Sequence, residues 1–474
     1  MEILQKAEMM NHQKTGLACS RVHPKWAFFW DTGTGKTRLG CEIIKDKNFP
    51  KTLIVCPKTI IESVWLTQIF IWLGPNVEAV DLRKTYLKRK KFPSLFTQAL
   101  QMNIGIVSFE IFKLMPEQIV KAKYKCLIID ESAKIANPLS AISKMVNIFS
   151  SIMCYVYLFT GTPAGNSWLD YYAQISCIDA SVWGKNYYSF RNKYFYKPNP
   201  NGFTWLFKKD KEEEFKKKLQ TVSSSILKES VLDLPPRTEN VRLVELSKKE
   251  RSLYDLMHRG KLTTIEGKEI LTPNIAARIM KLRQITSGFI LCEDECKKKK
   301  KEAIIFGDSK LIELKNVIRE LGENQAVIWF HFSVDGQLIQ DMIATSFATS
   351  SKVVDGATKE QDRLDAIKQF QNKELRYLVT NPATCGEGLN LENCSYAIYY
   401  DLVYSYKLMY QSKDRIYRKG QKNKCTYIYL LAVNTVDEII YNCFIKNLNL
   451  NQAILKYIQD ANYSLKQKKG NKNV

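Results

Sequence analysis

The sequence lacks the long apolar runs and the leader that mark membrane and secreted proteins. No apolar run approaches the roughly 18–20 residues needed to span a bilayer. The N-terminus has no basic, then apolar, then small-residue pattern of a signal peptide. The 12 cysteines are scattered, with one close pair, Cys292 and Cys296. A structural zinc site usually needs two such pairs, so the cysteines do not predict one. We therefore expect a soluble intracellular protein whose thiols are reduced and mostly buried.

Acidic residues are scarce relative to basic ones. The 474-residue chain has 71 Lys and Arg against 48 Asp and Glu, which gives a formal charge of +23. This excess indicates either a polyanion partner, because Lys and Arg displace condensed counterions from nucleic acid, or simply a soluble, lysine-rich surface. The 45% hydrophobic and 25% charged content is that of a globular protein, and the length suits two or three domains.

Short apolar runs bounded by turns recur in both halves of the chain, and each is followed by a stretch with helical periodicity. Such runs are typical of strands covered on both faces, and their alternation with helices predicts mostly parallel sheets in α/β layers. The predicted strands are 26–30, 52–56, 104–108, 126–129, 155–159, 326–330, 352–354, 377–380, 396–400 and 426–431.

This alternation breaks between 168 and 302. The stretch is rich in Lys and Glu, reads as helices and contains the turn-forming pair Pro235-Pro236. We therefore predict two α/β lobes. The first is 1–230, with a helical insertion from about 165, and the second is 231–474, with a linker and a helical insertion to about 300.

A glycine-rich loop joins the first predicted strand to a predicted helix. Gly33 and Gly35 let backbone N–H groups approach phosphate oxygens. Lys36 supplies positive charge to the β- and γ-phosphates, and the Thr37 hydroxyl can ligate Mg²⁺. A strict P-loop has glycine where this chain has Trp30. The predicted nucleotide-binding residues here are Gly33, Thr34, Gly35, Lys36 and Thr37.

Two adjacent carboxylates follow the predicted strand 126–129. Asp130 and Glu131 fall at the carboxyl end of a parallel strand, where α/β proteins bind ligands. Asp130 can hold Mg²⁺ through water, and Glu131 can orient and deprotonate an attacking water. An Asp-Glu pair after a strand is often a solvated helix start, but its combination with the glycine-rich loop favours a site of ATP hydrolysis.

Three polar residues in the second half are spaced as one face of a helix. Gln411, Arg415 and Arg418 are separated by i, i+4 and i+7. Two arginines on one face often form an exposed, salt-bridged surface. The alternative is an arginine finger, in which a guanidinium from one lobe reaches a γ-phosphate bound to the other and stabilises transition-state charge.

Taken together, these elements resemble helicase superfamily two, the group of DEAD/DEAH-like helicases, and within it the Swi/Snf-related ATP-dependent DNA translocases. The resemblance runs from about His12 to Tyr441, with the motifs in the family's order. Gln13 stands where the adenine-reading glutamine falls, and the resemblance implies that Gly388, in a segment similar to motif V, also binds the nucleotide. The segments 53–58, 107–110, 130–138, 160–163 and 411–421 resemble motifs Ia, Ib, II, III and VI.

Several positions depart from the family pattern. Ala133 stands where many relatives carry His, which removes one link between the ATP site and motif III. Tyr404-Ser405-Tyr406 replaces the usual Trp-Asn-Pro, and Lys419 replaces a common apolar residue. None of these changes removes a catalytic group. They therefore bear on the coupling between the ATP site and the nucleic acid, and not on ATP hydrolysis itself.

The resemblance implies two RecA-like lobes that bind ATP and Mg²⁺ and form a nucleic-acid-stimulated ATPase moving along double-stranded DNA. The implied catalytic residues are Glu131, Gln411, Arg415 and Arg418, and the implied metal ligands are Thr37 and Asp130. We expect a monomer with no membrane association that acts in the cytoplasm or nucleoid of a bacterial, phage or viral setting, with room for accessory proteins. Two alternatives remain, a strand-separating DNA or RNA helicase and a non-hydrolysing nucleic-acid scaffold.

Overall fold

A computed structural model describes residues 8–165, 167–198, 205–293, 301–385, 389–446, 453 and 457. The chain divides into Met1–Asp233, here called unit 1, and Leu234–Val474, here called unit 2. The predicted ligand residue Gly388 and the pair partner Cys296 lie outside the described residues. Within the described ranges, no helix combines the length and the apolar character that a membrane crossing requires.

Unit 1 is built on one parallel sheet with helices between its strands. The strands are β1 Lys25–Trp30, β2 Thr52–Cys56, β3 Ala79–Asp81, β4 Ile104–Ser108, β5 Cys126–Asp130, β6 Tyr155–Phe159, β7 Phe195–Tyr196, β8 Leu206–Phe207 and β9 Ser223–Ile226. The helices are α1 Asn11–Val22, α2 Lys36–Asp46, α3 Thr67–Leu73, α4 Leu82–Leu87, α5 Pro93–Ala99, α6 Phe109–Phe112, α7 Pro116–Ala122, α8 Ala141–Ile152, α9 Tyr171–Ile178, α10 Tyr187–Tyr194 and α11 Glu212–Gln220. The sheet order is β3-β4-β2-β5-β6-β1-β9, while β7 and β8 form a separate antiparallel pair.

Both faces of this sheet are buried. Along β1, Ala27 and Phe29 belong to one apolar cluster and Phe28 and Trp30 belong to another, as the two-residue period of a strand requires. This two-sided burial explains why the strands read as continuous apolar runs in the sequence.

The strand order decides which loops meet. β6 pairs in parallel with both β5 and β1, so the segments that follow these three strands leave the sheet at the same edge. This edge, at the carboxyl ends of the strands, is where open α/β sheets bind ligands. It gathers 31–35, 130–131 and 160–163 from distant parts of the sequence.

Unit 2 contains a second parallel sheet. The strands are β10 Arg237–Val244, β11 Thr264–Ile265, β12 Lys268–Glu269, β13 Phe289–Glu293, β14 Lys301–Ile305, β15 Ala326–Trp329, β16 Ser351–Val354, β17 Tyr377–Thr380, β18 Tyr396–Tyr399 and β19 Cys425–Ala432. The helices are α12 Lys248–His258, α13 Ile275–Thr286, α14 Ser309–Glu320, α15 Ser333–Ser346, α16 Glu360–Gln371, α17 Pro382–Cys385, α18 Tyr406–Lys413 and α19 Val436–Ile445. The sheet order is β10-β19-β18-β15-β17-β16, and β11–β12 and β13–β14 are antiparallel hairpins.

The predicted α/β architecture and the predicted strands are confirmed, but the interpretation of 168–302 as helices is wrong in part. This segment also supplies β9, which pairs with β1, and β10, which pairs with β19 along its whole length. Both lie at sheet edges, and most of β10 is exposed or half-buried, so its polar residues face water and leave no apolar run to detect.

Candidate functional site

The loop between β1 and α2 adopts a conformation that its glycines make possible. Gly33 and Gly35 have φ values of 80° and 82°, in the left-handed region that side chains disfavour. The Thr34 hydroxyl donates a hydrogen bond to the carbonyl oxygen of Asp31 at 2.7 Å, which closes the loop on itself. Lys36 opens α2, so its side chain starts at a helix N-terminus, where backbone N–H groups favour an anion.

The Lys36 ammonium lies over this loop. It donates to the carbonyl oxygens of Trp30 and Asp31, each at 2.8 Å. Its charge also reaches the end of β5, where it acts to lower the pKa of Asp130. Lys36 is therefore close to both the loop and the carboxylate with which it was predicted to share a nucleotide.

Helix α1 packs directly against the loop. His12 donates from Nε2 to the carbonyl oxygen of Thr34 at 2.8 Å, and Gln13 donates from Nε2 to that of Gly35 at 3.2 Å. A Cβ atom at Gly35 would fall 2.1 Å from Gln13 Nε2, so glycine also permits this close approach. The buried Gln13 thus lies at the loop, and its role in reading adenine stays a prediction.

Trp30, which departs from the P-loop pattern, is a core residue. It is almost fully buried, and its indole N–H donates to the Ser224 hydroxyl of β9 at 3.1 Å. A Cβ atom at Gly16 of α1 would fall 2.5 Å from the Trp30 ring, so this glycine lets the helix approach the ring. The side chain therefore joins α1, β1 and β9 behind the loop.

Asp130 ends β5 and is held by two N–H donors. Its Oδ1 accepts from the backbone N–H of Glu131 at 3.0 Å, and its Oδ2 accepts from Trp65 Nε1 at 2.9 Å. Burial, and next the charge of Glu131, raise the pKa of Asp130 to about 6, while Lys36 and these hydrogen bonds oppose the rise. A cation placed here would relieve the cost of the buried charge.

Glu131 occupies an unusual backbone conformation beside the loop that follows β6. Its φ is 59°, in the left-handed region, where non-glycine residues are uncommon and tend to occur at functional sites. Its Oε2 lies 3.5 Å from the hydroxyl of Thr160, which also accepts from the backbone N–H of Thr162 at 3.2 Å. The segment 160–163 is thus adjacent to the predicted catalytic carboxylate.

The residues of unit 1 fit a magnesium ion that is bound mainly through a nucleotide. In the described part of the chain, no group of three or more His, Cys, Asp or Glu side chains could form a metal centre. Mg²⁺ commonly takes one or two protein oxygens and completes its shell with phosphate and water. The buried Asp130 carboxylate and the Thr37 hydroxyl are of that kind.

In unit 2, the prediction that Gln411, Arg415 and Arg418 share a helical face is wrong. Helix α18 ends at Lys413, and the next residues form turns. The backbone N–H of Leu391 donates to the carbonyl oxygen of Arg415 at 3.0 Å, a contact that a continuing helix would use internally. Tertiary contact with this neighbouring segment therefore replaces the helix.

The two arginines nevertheless converge. Arg415 Nη1 and Arg418 Nη1 both donate to the carbonyl oxygen of Leu389, and Arg415 Nε donates to that of Gln411 at 2.9 Å. Burial lowers the pKa of Arg418, and the nearby charges of Glu392 and Asp414 oppose this effect. The predicted residues therefore form two groups, one around the loop of unit 1 and one around Leu389 of unit 2.

Sequence reasoning missed Trp65 and His12. Trp65 is fully buried in a π-helical turn, Ile61–Leu66, a feature that often marks functional sites. A tryptophan in an apolar stretch reads as core, so only the position of its indole N–H beside Asp130 reveals the second contact. His12 is next to the predicted Gln13, and this proximity in sequence was the one available signal.

Two family models match this chain, and the first extends beyond unit 1 into unit 2. Residues 3–288 match the family model of the SNF2-related domain, and residues 309–420 match that of the helicase conserved C-terminal domain. The solved structure of the Sulfolobus solfataricus SWI2/SNF2 ATPase core in complex with dsDNA is 21% identical, the match covers 98% of this chain and 96% of that chain, and the TM-score is 0.43.

Curated relatives match most of this chain. An uncharacterized ATP-dependent helicase of Mycoplasma genitalium is 26% identical over 88% of this chain and 38% of its own length. The ISWI chromatin-remodeling complex ATPase ISW1 of Saccharomyces cerevisiae is 24% identical over 88% of this chain and 37% of its own length. The putative ATP-dependent helicase/translocase YwqA of Bacillus subtilis is 22% identical over 90% of this chain and 46% of its own length. The chain thus spans less than half the length of each of these relatives.

Proposed function

The chain belongs to the SNF2-related domain family, and from this premise we propose that it hydrolyses ATP to move along double-stranded DNA. The proposal depends above all on one observation, the convergence of Lys36, Asp130 and Glu131 at the carboxyl edge of the unit 1 sheet. Lys36 begins the helix that follows β1, while Asp130 and Glu131 lie at the end of β5, and the chemistry of the three residues is that of a phosphoryl-transfer site. Asp130 already lies within the electrostatic reach of Lys36.

We propose that the β1–α2 loop binds the triphosphate. The backbone N–H groups around Gly33 and Gly35 would donate to phosphate oxygens, and Lys36 would exchange its two carbonyl contacts for the β- and γ-phosphates. Gln13, already held against the loop, would contact the adenine. Mg²⁺, with Thr37 and Asp130 as its protein ligands, supplies charge neutralisation at the phosphates when bound.

Hydrolysis would then use carboxylate and guanidinium groups. Glu131 would orient the attacking water and accept its proton, a role suited to a carboxylate next to a metal ligand. Arg415 and Arg418, with Gln411, would stabilise the charge that develops on the γ-phosphoryl group. Gly388 would be part of the same nucleotide site.

The formal charge of the chain and the descriptions of its relatives support a nucleic-acid partner. A formal charge of +23 favours a polyanion, and relatives are described as ATP-dependent helicases and as the ATPase of a chromatin-remodeling complex. We propose duplex DNA as the track and a monomer as the active form. Strand separation is the competing activity.

Measuring ATP turnover with no nucleic acid, single-stranded DNA, duplex DNA and RNA tests this proposal. We expect the largest stimulation with duplex DNA, and Lys36→Ala should abolish turnover in every condition because it removes the charge that binds the phosphates. A triplex-displacement assay beside an unwinding assay then distinguishes the two motors, since a translocase strips a third strand without opening the duplex. Turnover that no nucleic acid stimulates would contradict the proposal.

A further inference from the structure

Gln174 joins the two loops of unit 1 that follow β5 and β6. It lies in α9 and is fully buried. Its Oε1 accepts a hydrogen bond from the hydroxyl of Ser132 at 2.7 Å, and its Nε2 donates to the carbonyl oxygen of Pro163 at 2.7 Å. Ser132 directly follows Glu131, while Pro163 belongs to the segment 160–163. The Gln174 side chain thus contacts both the loop that follows β5 and the loop that follows β6.

The orientation of the Gln174 amide is fixed by its neighbours. Besides Pro163, Nε2 donates to the carbonyl oxygen of Asp170 at 2.9 Å, so both of its hydrogens meet carbonyl oxygens. Turning the amide over would place Oε1 against two acceptors and leave them unpaired in a buried setting. The hydroxyl of Ser132, which is itself buried, must therefore donate to Oε1.

A second contact joins the same loops but is weaker. The hydroxyl of Thr160 lies 3.5 Å from Glu131 Oε2, at the upper limit of a hydrogen bond. The contacts of Gln174 with Ser132 and Pro163 are each 2.7 Å long, and the contact with Ser132 is fully buried, where hydrogen bonds are stronger and costly to break. The contacts of Gln174 thus provide a short path from Ser132, next to Glu131, to Pro163.

We propose that Gln174 is a positioning residue that couples the segment carrying Asp130 and Glu131 to the segment 160–163. It acts through Ser132 and Pro163, so that a shift of one loop during ATP turnover moves the other. The methyl side chain of Ala133 offers no hydrogen bond, and the buried polar link is supplied instead by the preceding residue, Ser132. This inference rests on the proposed function, because the resemblance of 160–163 to motif III implies that this segment couples the nucleotide state to the nucleic-acid track.

Gln174→Met tests the proposal, since methionine keeps the length of the side chain and removes both hydrogen-bonding groups. We expect kcat without DNA to stay within about twofold of wild type and stimulation by saturating duplex DNA to fall at least about fivefold, with the KM for ATP little changed. Ser132→Ala should lower the ratio of stimulated to basal turnover in the same way. The double variant should be no worse than Gln174→Met alone, because Gln174→Met already removes the contact with Ser132. The exposed Gln101→Met serves as the matched control.

Each outcome bears on the proposal. Unchanged DNA stimulation in folded Gln174→Met would overturn it, as would an equal fall in basal and stimulated turnover, which indicates a merely structural role. If that variant does not fold, Ser132→Ala, which removes a single donor, decides the question by the same ratio. The wild-type measurement separates the two levels of inference: an unstimulated wild type refutes the proposed function itself and this coupling with it, whereas a stimulated wild type with stimulated variants refutes the coupling alone.

Discussion

Arg415 and Arg418 donate to one acceptor, the carbonyl oxygen of Leu389, at 3.1 and 2.9 Å. The shared carbonyl orients both guanidinium groups together, although the residues follow the end of α18 instead of lying on it. A guanidinium has five N–H donors in a planar fork, so a backbone contact of this kind can set its direction while a phosphate supplies further acceptors. The two arginines are therefore expected to act as a pair.

Removing Arg418 should slow the chemical step. We expect Arg418→Ala to lower kcat by at least about tenfold while the Kd for ATP changes by less than about threefold, because the arginine stabilises charge that develops in the transition state. Turnover at saturating duplex DNA and equilibrium nucleotide binding measure the two quantities. The exposed Arg319→Ala, in the same unit, is the control. Wild-type turnover in Arg418→Ala would exclude the arginine-finger role.

Glu131 should be needed for hydrolysis and dispensable for nucleotide binding. Glu131→Gln keeps the size of the side chain and loses the proton acceptor, so kcat should fall by about 10²-fold or more while ATP still binds. Single-turnover hydrolysis and nucleotide titration give the two values. The exposed Glu117→Gln controls for the loss of one negative charge in unit 1. Appreciable hydrolysis by Glu131→Gln would assign the base elsewhere.

The indole of Trp65 should tune the metal ligand. Trp65→Phe removes the N–H that donates to Asp130 Oδ2 and that holds down the pKa of this carboxyl group. We expect weaker Mg²⁺ binding and a kcat lower by about three- to tenfold, restored in part by higher Mg²⁺, since loss of a hydrogen bond to a metal ligand commonly costs about 10–100-fold in metal affinity.

Trp72→Phe is the matched control for this test, because the indole of Trp72 donates to Gln68 Oε1 at 2.7 Å and not to the site. Turnover measured across a Mg²⁺ titration compares the two variants. If kcat depends on Mg²⁺ equally in Trp65→Phe and Trp72→Phe, the indole of Trp65 serves only the core.

The buried carboxyl group of Asp130 should make stability depend on pH. Its pKa of about 6 in the folded protein lies above the value of about 3.9 expected when unfolded. Between these values the folded state binds a proton that the unfolded state does not, so the contribution to stability is present at low pH and is lost as pH rises through about 6.

Asp130→Asn cannot ionise and should escape this loss. Its free energy of unfolding relative to wild type should therefore rise between about pH 4 and pH 8, by up to about 3 kcal/mol for a shift of about two pKa units. Urea unfolding of both proteins in the presence of a chelator measures the difference. A difference that stays constant with pH would mean that Asp130 titrates as an exposed carboxyl group does.

Affinity for duplex DNA should fall steeply with salt. The formal charge of +23 implies several contacts with phosphates, and each contributes about −0.9 to the slope of log affinity against log salt. For about five contacts the slope should be near −4.5. Fluorescence anisotropy over a range of KCl concentrations gives this value. An affinity that does not change with salt would contradict DNA binding through basic side chains.

Patterns of neighbouring residues determined much of this protein. The apolar runs specified the parallel strands because a strand buried on both faces must be continuously apolar. The glycine-rich loop predicted a phosphate site because glycine lets backbone N–H groups approach phosphate oxygens, and the structure adds that Gly33 and Gly35 have positive φ. The sequence pattern did not predict strand β10, because polar residues at the exposed edge of a sheet allow the same backbone pairing and leave no periodic apolar signal.

Contacts between distant residues could be decided only by the tertiary structure. Trp65 and Gln174 read as ordinary helix residues in sequence, yet one donates to Asp130 and the other links Ser132 with Pro163. Arg415 and Arg418 have helical spacing, but α18 ends at Lys413, and both side chains contact the carbonyl oxygen of Leu389 from beyond the helix. Local spacing encodes which chemistry a segment carries. The partner of each polar group depends on how the strands are ordered in the sheet, which no short stretch of sequence specifies by itself.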